Sequence, residues 1–188
     1  MALMDHAPYD FIANAQASDY NALSTFKHRT FNGTDAVFFC QALKNIYKNH
    51  QGLEMAFLTQ PHQSLQDNIS AFKSLFFSIP HPMRTTKHLS DPQKGSAAKR
   101  LNMFLRWMVR DSKERVDFGL WKNIQASALS CPLDVHSGRV ARKLGLLKRK
   151  QNDAKAVIAL DQSLRKLDPK DPVKYDFALF GLGVFEDF

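Results

Sequence analysis

Cysteine is scarce in this chain: Cys40 and Cys131 are the only two, with no CxxC pair and no His/Cys cluster. That pattern argues against a structural zinc site. Two thiols fit a reducing compartment, with a single disulfide left open. No apolar run is long enough to cross a bilayer. Residues 1–10 lack the basic start and apolar centre of a signal peptide. The expectation is a cytoplasmic protein. Sustained period-two alternation rich in β-branched residues is missing, as are internal repeats and low-complexity tracts. What remains is an all-α reading. Acid is also in deficit, with 18 Asp and Glu against 26 Lys and Arg, a net charge of +8.

The chain does have enough apolar material for a packed core, with 44% hydrophobic residues and 15 Phe among 188 residues. The aromatic load predicts a core rich in ring contacts. Its charge is uneven. Residues 1–80 hold five basic and six acidic side chains, whereas 81–188 hold 21 basic and 12 acidic ones. Those counts give −1 and +9, so a basic back half is set to face a polyanion, double-stranded DNA being the partner proposed below. A basic protein with no such partner is the alternative. The same shift suggests two subdomains, 1–80 and 81–188, with a soft boundary over 80–90.

Spacing and caps predict helices over 9–15, 19–26 and 35–48, the last led by Thr34 after an Asn32-Gly33 stop. A single turn is expected over 52–58. Ser64 caps a helix to about 79, on Leu65, Ile69, Phe72, Phe76 and Ile79. A polar stretch with Pro92 and Gly95 leads into a helix over 97–110. Its apolar face is Leu101, Phe104, Leu105 and Met108, with Lys99, Asn102, Arg106 and Arg110 on other faces. Helices are expected next over 121–128, over 135–144 behind an Asp134 cap, over 154–167 behind an Asp153 cap, and over 173–180 behind Asp171-Pro172.

Three segments carry candidate chemistry. Gly95-Ser96-Ala97-Ala98-Lys99 places a glycine turn and small residues before a helix, where backbone N–H groups admit a phosphate. In Pro132-Leu133-Asp134-Val135-His136, helix-start N–H groups stabilise an Asp134 carboxylate. The segment 168–180 reads as a capped closing helix with polar and aromatic residues on one side. Each has a structural reading as well: an ordinary helix start, a plain N-cap and a packing helix.

Together these segments resemble the helix-hairpin-helix DNA glycosylase superfamily, in which a G-x-G-x-K hairpin precedes a P-x-D-x-H segment. The text 99–110 with 116–121 is similar to one branch, an uncharacterised bacterial family related to archaeal 8-oxoguanine DNA glycosylases. The resemblance implies a helix-hairpin-helix glycosylase-like helical bundle and an incomplete N-terminal part that lacks upstream helices. It implies base-excision repair with abasic-site lyase activity on an oxidised purine, with Lys99 as the amine nucleophile and Asp134 as the essential carboxylate. Gly95, Ser96, Ala97 and His136 would approach DNA phosphates. Ala97 departs from the pattern, because the second hairpin glycine belongs there. For the amine to attack, burial near Arg100 would have to favour its neutral form.

A base outside the stack needs a pocket. Met103, Asp176 and Phe180 are its candidates, although Met103 and Phe180 read equally well as core residues. Arg139 and Arg142, with Lys143, Lys148, Arg149 and Lys150, place six cations in twelve residues without an acid. These are candidate phosphate contacts, or a solvated helix end. No metal or cofactor is expected, and the chain is expected to be a monomer. The alternative functions are a non-catalytic DNA-binding protein on the same scaffold, or a helical interaction protein.

Overall fold

The structure, a computed structural model, describes residues 4–60, 62–111, 116–186 and 188. Among them the chain is mostly helical. Eight α-helices run in order: α1 (Pro8–Asn14), α2 (Gly33–Asn49), α3 (Leu53–Ala56), α4 (Leu65–Phe76), α5 (Lys99–Val109), α6 (Val135–Lys143), α7 (Ala154–Leu167) and α8 (Asp176–Phe185). No helix among the described residues is long and apolar enough to cross a membrane.

Two compact units divide the chain, and they do not follow the expected cut at 80/81. One comprises Met1–Thr59 and Ala71–Leu89, the other Gln60–Ser70 and Ser90–Phe188. Hydrogen bonds explain why 60–70 belong with the later residues. Gln66 Nε2 donates to Asn102 Oδ1 at 2.8 Å, and Ser70 Oγ donates to Asp91 Oδ1 at 2.8 Å.

The first unit begins with α1 and a 3-10 helix, Ala17–Leu23, where an α-helix was expected over 19–26. A small hairpin follows, β1 (Lys27–His28) antiparallel to β2 (Phe31–Asn32). Its tight turn puts Arg29 at φ 54° without any of the glycine dipeptides that announce such turns. Asn32, not Thr34, caps α2: its side chain accepts from Asp35 N, and the Asp35 side chain accepts from Asn32 N. One buried cluster joins Ile12, Tyr20, Leu23 and Cys40. Phenylalanine supplies much of the remaining core. Phe57 stacks on Phe72 with centroids 3.9 Å apart, and Phe38 stacks on Phe77 at 5.3 Å. The α4 helix ends at Phe76, short of the expected 79, as the Ser78 N–H turns to Leu75 O and the chain tightens before Pro80.

The second unit packs an aliphatic core. Leu133, Val140, Leu147, Val157, Leu160, Leu164 and Leu179 are buried together with Cys131. No helix forms over 121–128; a 3-10 turn covers only Ala126–Ala128. Tertiary partners replace the helical bonds there. Trp121 N donates to Met108 O, while Arg165 donates to the carbonyls of Ser127 and Leu129. Both cysteines are free and buried, and burial raises both thiols, Cys131 strongly. Neither is therefore an activated nucleophile.

Beneath α5 lies a charge network that the sequence periodicity assigned to outward faces. Arg106, only 4% exposed in its side chain, bonds Asp117 at 3.1 Å and Asp176. Its guanidinium also sits 4.3 Å from the Phe177 ring centroid. Arg110 bonds Asp117 and Asp171 at 3.0 and 2.8 Å. Alternating the two signs lets several charges share one interior.

Candidate functional site

The site is built on two helix starts within the second unit. Pro92–Lys94 forms a 3-10 turn, and Gly95 follows in the left-handed region at φ +88°, with open space where a side chain would be. Glycine takes that conformation without steric cost. Ser96 and Ala97 do not open the helix as expected. The N-cap is Ala98, itself left-handed at φ 45°, and α5 starts at Lys99. Left-handed backbone is costly for alanine, so surrounding structure must hold it. Asn102, 1% exposed, helps by donating to Ala97 O at 3.0 Å.

The turn also uses up several of the N–H groups nominated for phosphate. Gly95 N donates to Pro92 O, Ser96 N to Asp91 O and Ala98 N to Ser96 Oγ, at 2.9, 3.1 and 3.1 Å.

Asp134 caps α6. Its Oδ1 accepts from Ser137 N at 2.9 Å and from Ser137 Oγ at 3.0 Å. Its Oδ2 accepts from Lys99 Nζ at 2.8 Å, across 35 positions of sequence. Burial works to raise this carboxyl. The Lys99 ammonium and both Ser137 groups outweigh it and hold Asp134 below the usual carboxylate range. Lys99 is not the buried amine that was expected. Its side chain is 43% exposed, against 12% for Asp134. The pair is a half-open ion pair at the surface end of a buried cap.

One short segment fastens the two helix starts, and sequence reasoning did not single it out. Asn152 Nδ2 donates to Asp134 O at 2.8 Å. Two residues on, Ala154 N donates to Gly95 O at 3.0 Å, and Asp153 bridges Ser96. Arg142 steadies this segment, donating to Arg149 O at 2.7 Å and to Asn152 Oδ1 at 2.5 Å. The signal available beforehand was the Asp153 cap, whose side chain accepts from Ala156 N at 3.0 Å.

The other nominated residues lie on α5, α6 and α8. His136 and Arg139 both turn to the Gly183 carbonyl, at 3.2 Å from His136 Nδ1 and 2.7 Å from Arg139 Nη2. A side chain at 183 would press on His136, 3.0 Å away, so glycine permits this approach of α8 to α6. Of the six clustered cations, Arg139, Arg142 and Arg149 bond within the protein, and Lys143 lies 5.3 Å from the Phe188 ring centroid. Lys148 and Lys150 are exposed. Phe180 is exposed and meets the His136 ring edge-on at 6.0 Å. Met103 is half-buried. Asp176 is buried, bonded by Arg106 and 3.5 Å from Cys131 Sγ, with burial raising its carboxyl. It does not stand open to an incoming base in this arrangement.

The arrangement offers a lysine ammonium, an ionised carboxylate fixed by a helix start, and basic side chains on the neighbouring helix. Comparison with curated proteins and with solved structures found no match. A family model spans residues 1–185, and the chain belongs to that family, described as a protein of unknown function (DUF2400).

Proposed function

We propose that this chain is a DNA base-excision glycosylase with abasic-site lyase activity on an oxidised purine such as 8-oxoguanine. The observation that carries the reading is the 2.8 Å pairing of Lys99 Nζ with the Asp134 carboxylate. The likeness of this sequence to helix-hairpin-helix glycosylases supports the same roles for the two residues. Lys99 must first part from Asp134 and lose a proton. Its lone pair then attacks C1′ of the sugar, and the C1′–N bond breaks with its electrons leaving on the base, which takes up a proton. Asp134, ionised at neutral pH, stabilises the positive charge on the sugar in the transition state. Opening of the sugar gives a Schiff base on Lys99. Loss of a C2′ proton then expels the 3′ phosphate.

Partial exposure of Lys99 suits this role, because the sugar of an extruded nucleotide must reach the amine from solvent. Lys148 and Lys150 supply charge for the phosphate backbone, which makes affinity fall steeply with salt. The test is borohydride trapping on a panel of damaged duplexes. A covalent protein–DNA adduct is expected with the wild-type chain and none with Lys99→Gln. An adduct that persists in Lys99→Gln removes Lys99 as the nucleophile. Salt-sensitive DNA binding without any adduct on the panel replaces this reading with a non-catalytic DNA-binding role.

A further inference from the structure

The second unit contains a cavity of about 470 Å³ that includes neither Lys99 nor Asp134. Its apolar walls come from Leu65, Pro92 and Ile158, and amide side chains reach it from Gln66, Gln93 and Gln162. The volume lies within the range of small-molecule sites, and apolar walls with a few placed polar groups are their usual lining.

Gln66 gives the cavity its chemical direction. Its Nε2 is committed to Asn102 Oδ1, and Asn102 Nδ2 is committed in turn to Ala97 O. That chain of donors and acceptors fixes which way round the amide sits. The atom left over is Oε1, which is buried and has no hydrogen-bond partner among the described residues. A buried acceptor without a donor is costly. Since solvent is screened from it, a donor must enter the cavity to satisfy it. The charge of the lining selects further. Asp67 and Asp161 both line the cavity, and its one cation, Arg165, is spent on Ser127 O, Leu129 O and Asp161. An anionic ligand would meet two carboxylates and no available cation.

We infer that this cavity is a binding site for a neutral, planar, nitrogen-rich heterocycle, of free nucleobase or nucleoside size, whose ring N–H donates to Gln66 Oε1. The flat faces would rest on Leu65, Pro92 and Ile158, while the exposed amides of Gln93 and Gln162 match a mixed donor and acceptor edge. The site stands independently of the Lys99 chemistry, so either reading can fail alone.

The test is calorimetric titration of the full chain with inosine, with inosine 5′-monophosphate in parallel. Inosine is expected to bind, with the monophosphate at least tenfold weaker. Gln66→Leu is expected to weaken inosine binding roughly 3- to 10-fold, the loss of one neutral hydrogen bond. Should Gln66→Leu fail to fold, Gln162→Ala at an exposed position is expected to weaken it by a similar or smaller factor. No heat of binding with inosine at millimolar concentration overturns the inference. So does monophosphate binding as tight as inosine binding, or inosine binding unchanged in the variants.

Discussion

The two units of this chain solve the same packing problem with different materials. The first stacks phenylalanines, Phe57 on Phe72 and Phe38 on Phe77, around α2 and the end of α4. Its buried carboxylate, Asp35, is fully matched. Thr85 Oγ1 donates at 2.8 Å, Arg84 Nη1 at 2.6 Å and Asn32 N at 3.0 Å, with His88 Nε2 3.2 Å away. The second unit has an aliphatic core and carries its polar load in a buried network of Arg106, Arg110, Asp117, Asp171 and Asp176. Ring packing tolerates a change of shape better than an ionic interior tolerates a missing charge. The difference teaches where each unit is fragile.

The largest effect is expected at Arg106. Arg106→Met keeps an apolar stem but strands Asp117 and Asp176, at a cost of about 3–5 kcal/mol. Phe57→Leu, the matching change in the first unit, keeps most of the buried volume and is expected to cost about 1–1.5 kcal/mol. Denaturant unfolding of both variants checks the contrast, and equal losses would erase it.

Acid–base behaviour separates the units next. Burial raises the Asp161 carboxyl to about 6, because Ser130, the Cys131 N–H and Arg165 offset the lost hydration only in part. The folded state then holds this proton more tightly than the unfolded chain. Stability is therefore highest below the unfolded value of about 4 and declines as pH rises towards 6. Asp161→Asn should remove that decline and raise stability at pH 7.5 by about 1–3 kcal/mol, with little change at pH 4. Asp35 runs the other way. Burial raises it, but the Asn32 N–H, Thr85, Arg84 and His88 together bring it down to about 2. Its contribution is full above pH 4 and is lost as pH falls from 4 to 2, about 1–2 kcal/mol. Thermal melts across that window should flatten in Asp35→Asn.

The smallest expected effect is at Ala98. Glycine there would relieve about 1 kcal/mol of left-handed backbone cost, and would give up a buried methyl worth about 0.8 kcal/mol plus some chain entropy. Ala98→Gly should shift stability by less than about 1 kcal/mol. A larger loss would mean that the methyl, rather than the backbone shape, holds the turn before Lys99.

Local signals were legible in the sequence. The Asp134 and Asp153 caps act at the expected helix starts, and the Lys99–Asp134 pair forms. Cap chemistry works over three residues, so it is written in order along the chain. The ionic network was not legible, since Arg106 meets Asp176 across 70 positions and no periodicity reports that distance. Asn102 and Arg106 read as outward-facing because a polar residue on a helix usually meets water; here it meets buried partners. The expected helix over 121–128 failed for a related reason, with Arg165 taking carbonyls that a helix would have used. Likewise, exposure of the Lys99 amine depends on neighbours that a motif does not contain.

The stretch from Asn152 to Ala154 has a consequence for how this protein tolerates change. It touches the Asp134 carbonyl with its first residue and the Gly95 carbonyl with its last, so it works as a ruler between ammonium and carboxylate. A ruler can be recoloured but not lengthened. Side chains facing solvent along the adjoining basic stretch are free to vary, whereas one inserted or deleted residue at 152–154 would uncouple the two helix starts while leaving every member of the pair in place.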